Sequence, residues 1–309
     1  MKLTSSHWGV YEFEVEKGRL SALKPFVEDL DPSPIGHSII DLLDNKTRIK
    51  TPVVRESWLT GGPGSARERR GSDRFVALNW DEAETIVAAE LDRVIKHKGN
   101  QAIYAGSYGW ASAGRFHHAQ SQIHRFLNTI GGYTKSKNTY SFAAAEVVIP
   151  HVLGSGLMEL LTRQTSWQSV YKNTELLIAF GGLPAFNSQI SNGGTGAHIQ
   201  RLGARKAAAA GTRFVNMSPR RSDLKNDVPE DWLHMRPNTD VSVMLAMAHT
   251  LIVKRLHDVS FLERYTVGFD EFQAYLLGNI DGIPKTAEWA ADISGIAAAD
   301  IISLANEMA

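Results

Sequence analysis

The 309-residue chain carries 33 Lys+Arg against 33 Asp+Glu, 43% hydrophobic residues and no cysteine. That length predicts about two domains of roughly 150 residues each, and a 21% charged fraction with 9% aromatics excludes a disordered or fibrous chain. The lack of cysteine excludes disulfides, zinc ribbons, iron–sulfur clusters and thiol nucleophiles, and zero net charge weighs against a general binder of nucleic-acid phosphates.

No run approaches the roughly 18 apolar residues of a membrane helix. The start, MKLTSSHWGVYEFEVEKG, has neither an apolar signal core nor a twin-arginine pair, which predicts a cytoplasmic location. Along WGVYEFEVEKGRLSALKPF apolar and polar residues alternate on either side of a Lys-Gly turn, the pattern of a β-hairpin or small sheet. DLDPSPIGHS reads as loop. TGGPGSARERRGSDRF, at 60–75, is a glycine-rich basic loop whose Arg67, Arg69 and Arg70 either face solvent or contact an anion.

From Asn79, NWDEAETIVAAELDRVIKHKG has acidic residues in its first turn, apolar residues at helical spacing and a Lys98–Gly99 stop, which predicts a helix. QAIYAGSYGW reads as a short strand ending in small residues, and RFHHAQSQIHRFLNTIGG as a helix closed by Gly131–Gly132. Ser141 is placed to cap a third helix, SFAAAEVVIPHVLG. Beyond residue 171 the pattern becomes strand (ELLIAFGG), helix (NGGTGAHIQRLGARKAAAAG), strand (TRFVNMSPRR), strand (DWLHMRPNTD), helix (DVSVMLAMAHTLIVKRL), the order of a parallel α/β sheet.

Ligands of an open parallel sheet bind beyond the carboxyl ends of its strands. Three such ends are legible: Gly181–Gly182, Ser218–Pro219–Arg220 and Arg236–Pro237–Asn238–Thr239–Asp240. Glycine lets backbone approach a phosphate, and Asp240 either accepts from a base or ribose donor or caps the following helix. No G-x-G-x-x-G opens a helix and no G-x-x-x-x-G-K-[ST] occurs, which disfavours an ordinary NAD enzyme or P-loop NTPase. His117, His118 and His124 lie on one predicted helix, but without H-E-x-x-H or closer spacing they suit interdomain hydrogen bonds better than a metal. GSYGW at 106–110 and NTYS at 138–141 set aromatics, whose polar ends require partners, beside glycines at a strand end or in a loop.

Several segments together resemble the molybdenum S-/N-oxide reductases of the dimethyl sulfoxide reductase family, especially the biotin and methionine sulfoxide reductases. They are SHWG (6–9), DPSP (31–34), WDEA (80–83), GSYGW (106–110), GGYT (131–134) with YSFAAAEVVIPHVLG (140–154), QTSW (164–167), RPNTD (236–240), AMAHTL (246–251) and KTAEWAADISG (285–295). The resemblance runs from about residue 6 to the end. With the pattern of elements it implies an α/β chain: a small β-rich domain over 1–57, an α/β domain carrying a metal-ligand serine over 58–150, and a Rossmann-like dinucleotide-binding domain over 151–309.

The family binds molybdenum between two molybdopterin guanine dinucleotides (bis-molybdopterin guanine dinucleotide). In this branch a serine oxygen completes the coordination, and the matching position is Ser141. The absence of cysteine agrees with a branch that uses neither a cysteine ligand nor an iron–sulfur cluster, and an oxygen ligand suits a hard metal. By the same carry-over Tyr108 hydrogen-bonds the substrate oxygen and favours S-oxides, while Trp110 holds an oxygen ligand of the metal and walls the pocket. Asn187, Ser188, Gln189, Ser218, Pro219, Arg220, Asn238 and Asp240 line one dinucleotide, with Asp240 as the guanine partner.

Two departures stand out: Phe186 replaces a common lysine, and Ser218 replaces an aspartate of the family's DPR-like turn, an expected loss of one acceptor. Family members are also much longer. The second dinucleotide domain and the C-terminal barrel have no counterpart here, which implies a fragment, a split subunit with a second chain, or a truncated gene, and no independent activity.

The implied reaction is reduction of a small sulfoxide by oxygen atom transfer, with electrons from an unidentified donor, and with no nucleic acid or membrane span involved. Two alternatives stay open: an N-oxide reductase, and a non-catalytic module that binds a nucleotide or a partner.

Overall fold

The computed structural model describes residues 2–107, 118–191, 194–224 and 227–309. Its contacts divide the chain into two compact units, Met1–Arg163 with Ile190–Ala197 and Gln164–Gln189 with His198–Ala309.

The first unit opens with the expected antiparallel sheet, β1 (Leu3–Ser6), β2 (Gly9–Glu16) and β3 (Arg19–Pro25), in that order. Lys17 and Gly18 both take positive φ, 51° and 77°, the conformation that a two-residue type I′ turn demands. Tyr11 and Leu23 are buried, and the Tyr11 hydroxyl donates to the Ser33 carbonyl at 3.0 Å, tying the sheet to the loop that follows.

β4 (Val53–Arg55) pairs antiparallel with β5 (Phe75–Ala77), and the basic loop spans the gap between them. The loop is fastened from inside. Asp73, with its side chain 1% exposed, accepts from Ser57 Oγ and lies 3.7 Å from Arg55 and 3.6 Å from Arg69. Arg55 also donates to the carbonyls of Ser65 and Ala66. Arg69 is thereby partly engaged, while Arg67 and Arg70 are exposed.

Helix Trp80–Lys98 begins as its sequence predicts: Asn79 accepts from the Glu82 amide, and Glu82 accepts from the Asn79 amide in return. Two short parallel strands, β6 (Tyr104–Ala105) and β7 (Thr134–Lys135), flank helix Ala119–Thr129. The Asn100 amide clamps the return by donating to Ile130 and Gly132 carbonyls at 2.9 and 2.8 Å. His118 caps that helix through Nδ1, and His124 pairs with the Tyr133 hydroxyl. Their bonds are thus local to this unit rather than interdomain, and His117 lies outside the described residues.

The expected cap at Ser141 is corrected. Helix Ala143–Leu153 has Phe142 in the cap position, and Ser141 lies in the preceding turn, its amide directed at Thr139 Oγ1. Asn138, in the turn before Ser141, lies in the left-handed region at φ 69°.

In the second unit, β8 (Leu176–Phe180), β9 (Arg213–Met217) and β10 (Asp231–Leu233) form a parallel sheet in the order β10-β9-β8. Alternate residues of β9 feed two cores. Val215 and Met217 pack with Val243, Met247, Ile301 and Leu304, while Phe214 packs with Ala204, Ala207 and Leu224. Each large apolar side chain so buried contributes about 1.5–3 kcal/mol. Gly203, in helix Gln200–Ala209, lies against Trp167, where an added Cβ would come within 2.3 Å of the indole. Among the described residues no helix is long and apolar enough to cross a membrane.

Candidate functional site

Beyond the carboxyl ends of β8, β9 and β10 lies a crevice of about 430 Å³, within the roughly 300–1,000 Å³ of ordinary ligand sites. Three turns build it. After β8, Gly181 and Gly182 both take φ 81°, and helix Ala185–Ser188 carries Phe186 and Asn187 to the rim. After β9 come Ser218, Pro219, Arg220 and Asp223, and after β10 come Met235, Pro237, Asn238 and Asp240.

Ser218 organises the middle turn. Its fully buried hydroxyl donates to Asp223 Oδ2 at 2.7 Å and accepts from the Arg220 amide at 3.1 Å. Its carbonyl accepts from Trp232 Nε1 at 2.8 Å. Asp223 is pressed against Gly182, where a Cβ would stand 2.7 Å from the carboxylate oxygen, so glycine is required there by space as well as by φ. The Arg220 guanidinium lies 5.5 Å from the centre of the Phe186 ring and 3.6 Å from Asp223. An aromatic face, a cation and a carboxylate thus share one wall.

In the turn after β10, Asn238 takes φ 64°, a left-handed conformation that asparagine tolerates. Asp240 is the first residue of helix Asp240–Val253, while Thr239 holds the cap position. Asp240 thus lines the crevice from the first turn of its helix, where a carboxylate is electrostatically favoured, rather than from the cap position.

Six of the sequence-derived nucleotide residues therefore meet in one crevice: Asn187, Ser218, Pro219, Arg220, Asn238 and Asp240. Ser188 and Gln189 do not line it. Ser188 Oγ donates to the Ala185 carbonyl, and Gln189 is buried with its carbonyl bonded to His198. Sequence reasoning misses Asp223, although it expects the loss of a carboxylate at Ser218. The signal was present in SPRRSD, where Asp223 follows Ser218 by five residues within the same turn.

A larger hollow of about 610 Å³, lined by His257, Glu263, Asp270 and Glu271, offers three carboxylates and no Lys or Arg, a poor setting for an anion. Ser141 is exposed in the first unit; Tyr108 and Trp110 lie outside the described residues.

A crevice beyond the carboxyl ends of a parallel sheet is where an α/β protein of this class places its ligand. Comparison with known proteins makes the assignment specific. Residues 48–303 match the molybdopterin oxidoreductase family and residues 4–44 its N-terminal domain. The chain belongs to the molybdopterin oxidoreductase family.

It is 40% identical over 304 residues to a dimethyl sulfoxide/trimethylamine N-oxide reductase of Rhodobacter capsulatus, covering 98% of this chain and 37% of that protein. It is 39% identical over 286 residues to a biotin sulfoxide reductase of Cereibacter sphaeroides, covering 93% and 38%. It is 36% identical over 308 residues to a trimethylamine-N-oxide reductase of Haemophilus influenzae, covering 99% and 37%. The chain thus spans little more than a third of the length of these relatives. Acetylene hydratase from Pelobacter acetylenicus shares the fold, with a TM-score of 0.57 at 19% identity over 99% of this chain and 38% of that one.

Proposed function

We propose that this chain supplies the serine ligand and one nucleotide cradle of a molybdenum bis-molybdopterin guanine dinucleotide enzyme that reduces sulfoxides. The observation that carries the reading is the crevice, in which Arg220 on Phe186, Asp223, Asn238 and Asp240 converge beside glycines with no Cβ in the way. That set fits a guanine nucleotide: carboxylates for the donors of base and ribose, a guanidinium for a phosphate, and open backbone for close approach.

In this reading Asp240 accepts from the guanine and Asn187, Arg220 and Asn238 hold the remainder. Ser141, in a solvent-facing turn, offers its oxygen to the metal. When bound, the molybdenum centre supplies two-electron removal of an oxygen atom from the substrate. By the family resemblance, the Tyr108 hydroxyl would donate a hydrogen bond to the substrate oxygen and Trp110 would help to exclude water. The electrons come from a separate donor, and a second chain or further sequence completes the cofactor cage.

The relatives named for sulfoxides and N-oxides leave two substrate classes, and the family resemblance at Tyr108 favours the first. The test begins with chain produced in a molybdate-fed host that makes the cofactor. It should carry molybdenum, by elemental mass spectrometry, and release GMP on acid treatment. Ser141→Ala should lose most of the metal, and full metal retention refutes the ligand assignment. Once turnover is established, Tyr108→Phe should lower the S-oxide to N-oxide ratio of kcat/KM; an unchanged ratio removes Tyr108 from specificity.

A further inference from the structure

Arg236 lies just outside the crevice and does not line it, yet it is bonded in two directions. Its Nη1 donates to the carbonyls of Asp292 and Ile293 at 2.7 and 3.1 Å, and its amide donates to Ser294 O at 2.9 Å. These are the last carbonyls of helix Ala287–Ser294, where unpaired acceptors and the negative end of the helix dipole favour a cation. In the other direction the Arg236 carbonyl accepts from Thr239 Oγ1 at 2.7 Å, closing the turn that presents Asn238 and Asp240.

The helix on which Arg236 rests is itself firmly placed. Ala287 and Ala290 lie in the core, and Thr286 caps the N-terminus by accepting from the Trp289 amide. The preceding Lys285, 2% exposed, donates to Asp281 at 2.6 Å and stands 4.3 Å from the centre of the Tyr275 ring.

We infer that Arg236 is the positioning residue for the Asn238–Asp240 wall of the crevice, fixing its turn to the C-terminus of helix Ala287–Ser294. The inference rests on the nucleotide reading above and adds a residue that touches no ligand. Both carbonyls accept from a single nitrogen, Nη1, held at the end of a long, planar guanidinium, and the flexible four-carbon stem and rotatable ammonium of lysine do not reproduce that reach and orientation. Lysine therefore keeps the charge and loses the geometry.

The test uses GDP as the probe with the 309-residue chain, following affinity by calorimetry, melting temperature, and hydrogen exchange at residues 238–242. In R236K, GDP affinity should fall about tenfold and exchange at 238–242 should quicken. The control is T286A, which weakens the far end of the same helix. It should lower the melting temperature and leave GDP affinity as in the unaltered chain.

Unchanged GDP affinity in R236K overturns the positioning role alone. Equal losses of affinity in R236K and T286A overturn it as well, because they report general loosening. Failure of the unaltered chain to bind GDP refutes the nucleotide reading, and the role falls with it.

Discussion

The two units reach order by different means. In the second, β9 and its neighbours bury a continuous apolar core that includes Met217, Val243, Ala246 and Ile301, each fully buried or nearly so. In the first, the buried hydrophobic residues among those described are Tyr11, Leu23 and Leu127. Helix Trp80–Lys98 and helix Ala143–Leu153 bury no residue at all, and Val152 and Leu153 of the latter are 70% and 61% exposed. The first unit is held instead by polar fastenings: the Asn79–Glu82 capping box, the Asn100 clamp and the Asp73 cluster. Apolar burial is cooperative and indifferent to pH, whereas pins of this kind act locally and, where they use Glu82 or Asp73, depend on charge.

The comparison is tested most severely by a matched pair of truncations. Ile301→Ala removes a fully buried side chain of the second unit and should cost about 2–5 kcal/mol in chemical denaturation. Val148→Ala, at a residue 53% exposed on helix Ala143–Leu153, should cost less than about 0.5 kcal/mol. Equal costs would show that the apolar helix of the first unit is covered in solution.

A smaller effect comes from Asp73. The Ser57 hydroxyl, assisted by Arg69 and Arg55, holds its carboxyl below the usual aspartate range against the opposing effect of desolvation. A depressed folded-state pKa gives stability that is present above the unfolded value of about 3.9 and lost as pH falls toward the lower folded value. Melting of the first unit should therefore drop below about pH 4, and Asp73→Asn should remove this part of the pH dependence. An identical acid profile in the variant would take Asp73 out of the account.

What the sequence made legible follows the same division. ELLIAFGG and TRFVNMSPRR were readable as strands because runs of apolar residues ending in glycine or in Ser-Pro state both the burial and the stop. Asn79 was readable because the cap chemistry is local. Ser141 misleads as a cap, because a serine before an alanine run suits that position, yet the helix begins one residue later with Phe142 in the cap position. In the crevice the residues on strand ends were visible, whereas Asp223 and Arg236 were not. Their roles come from a glycine with no room for a Cβ and from carbonyls 56 and 57 residues away in sequence, neither of which has a periodic signature.

The strand order β10-β9-β8 has a consequence for how the second unit is made. Each strand joins beside the one synthesised before it, so the sheet grows at a single edge as the chain emerges, and no strand waits for a later one to be inserted between them. Val243 and Met247 cover part of the core face of Val215 and Met217, but that face is completed only when helix Ala298–Met308 delivers Ile301 and Leu304. The nascent unit thus has its nucleotide-facing turns before it has the helix that seals its interior, and the interval between the two is when its apolar face is most open to the wrong neighbour.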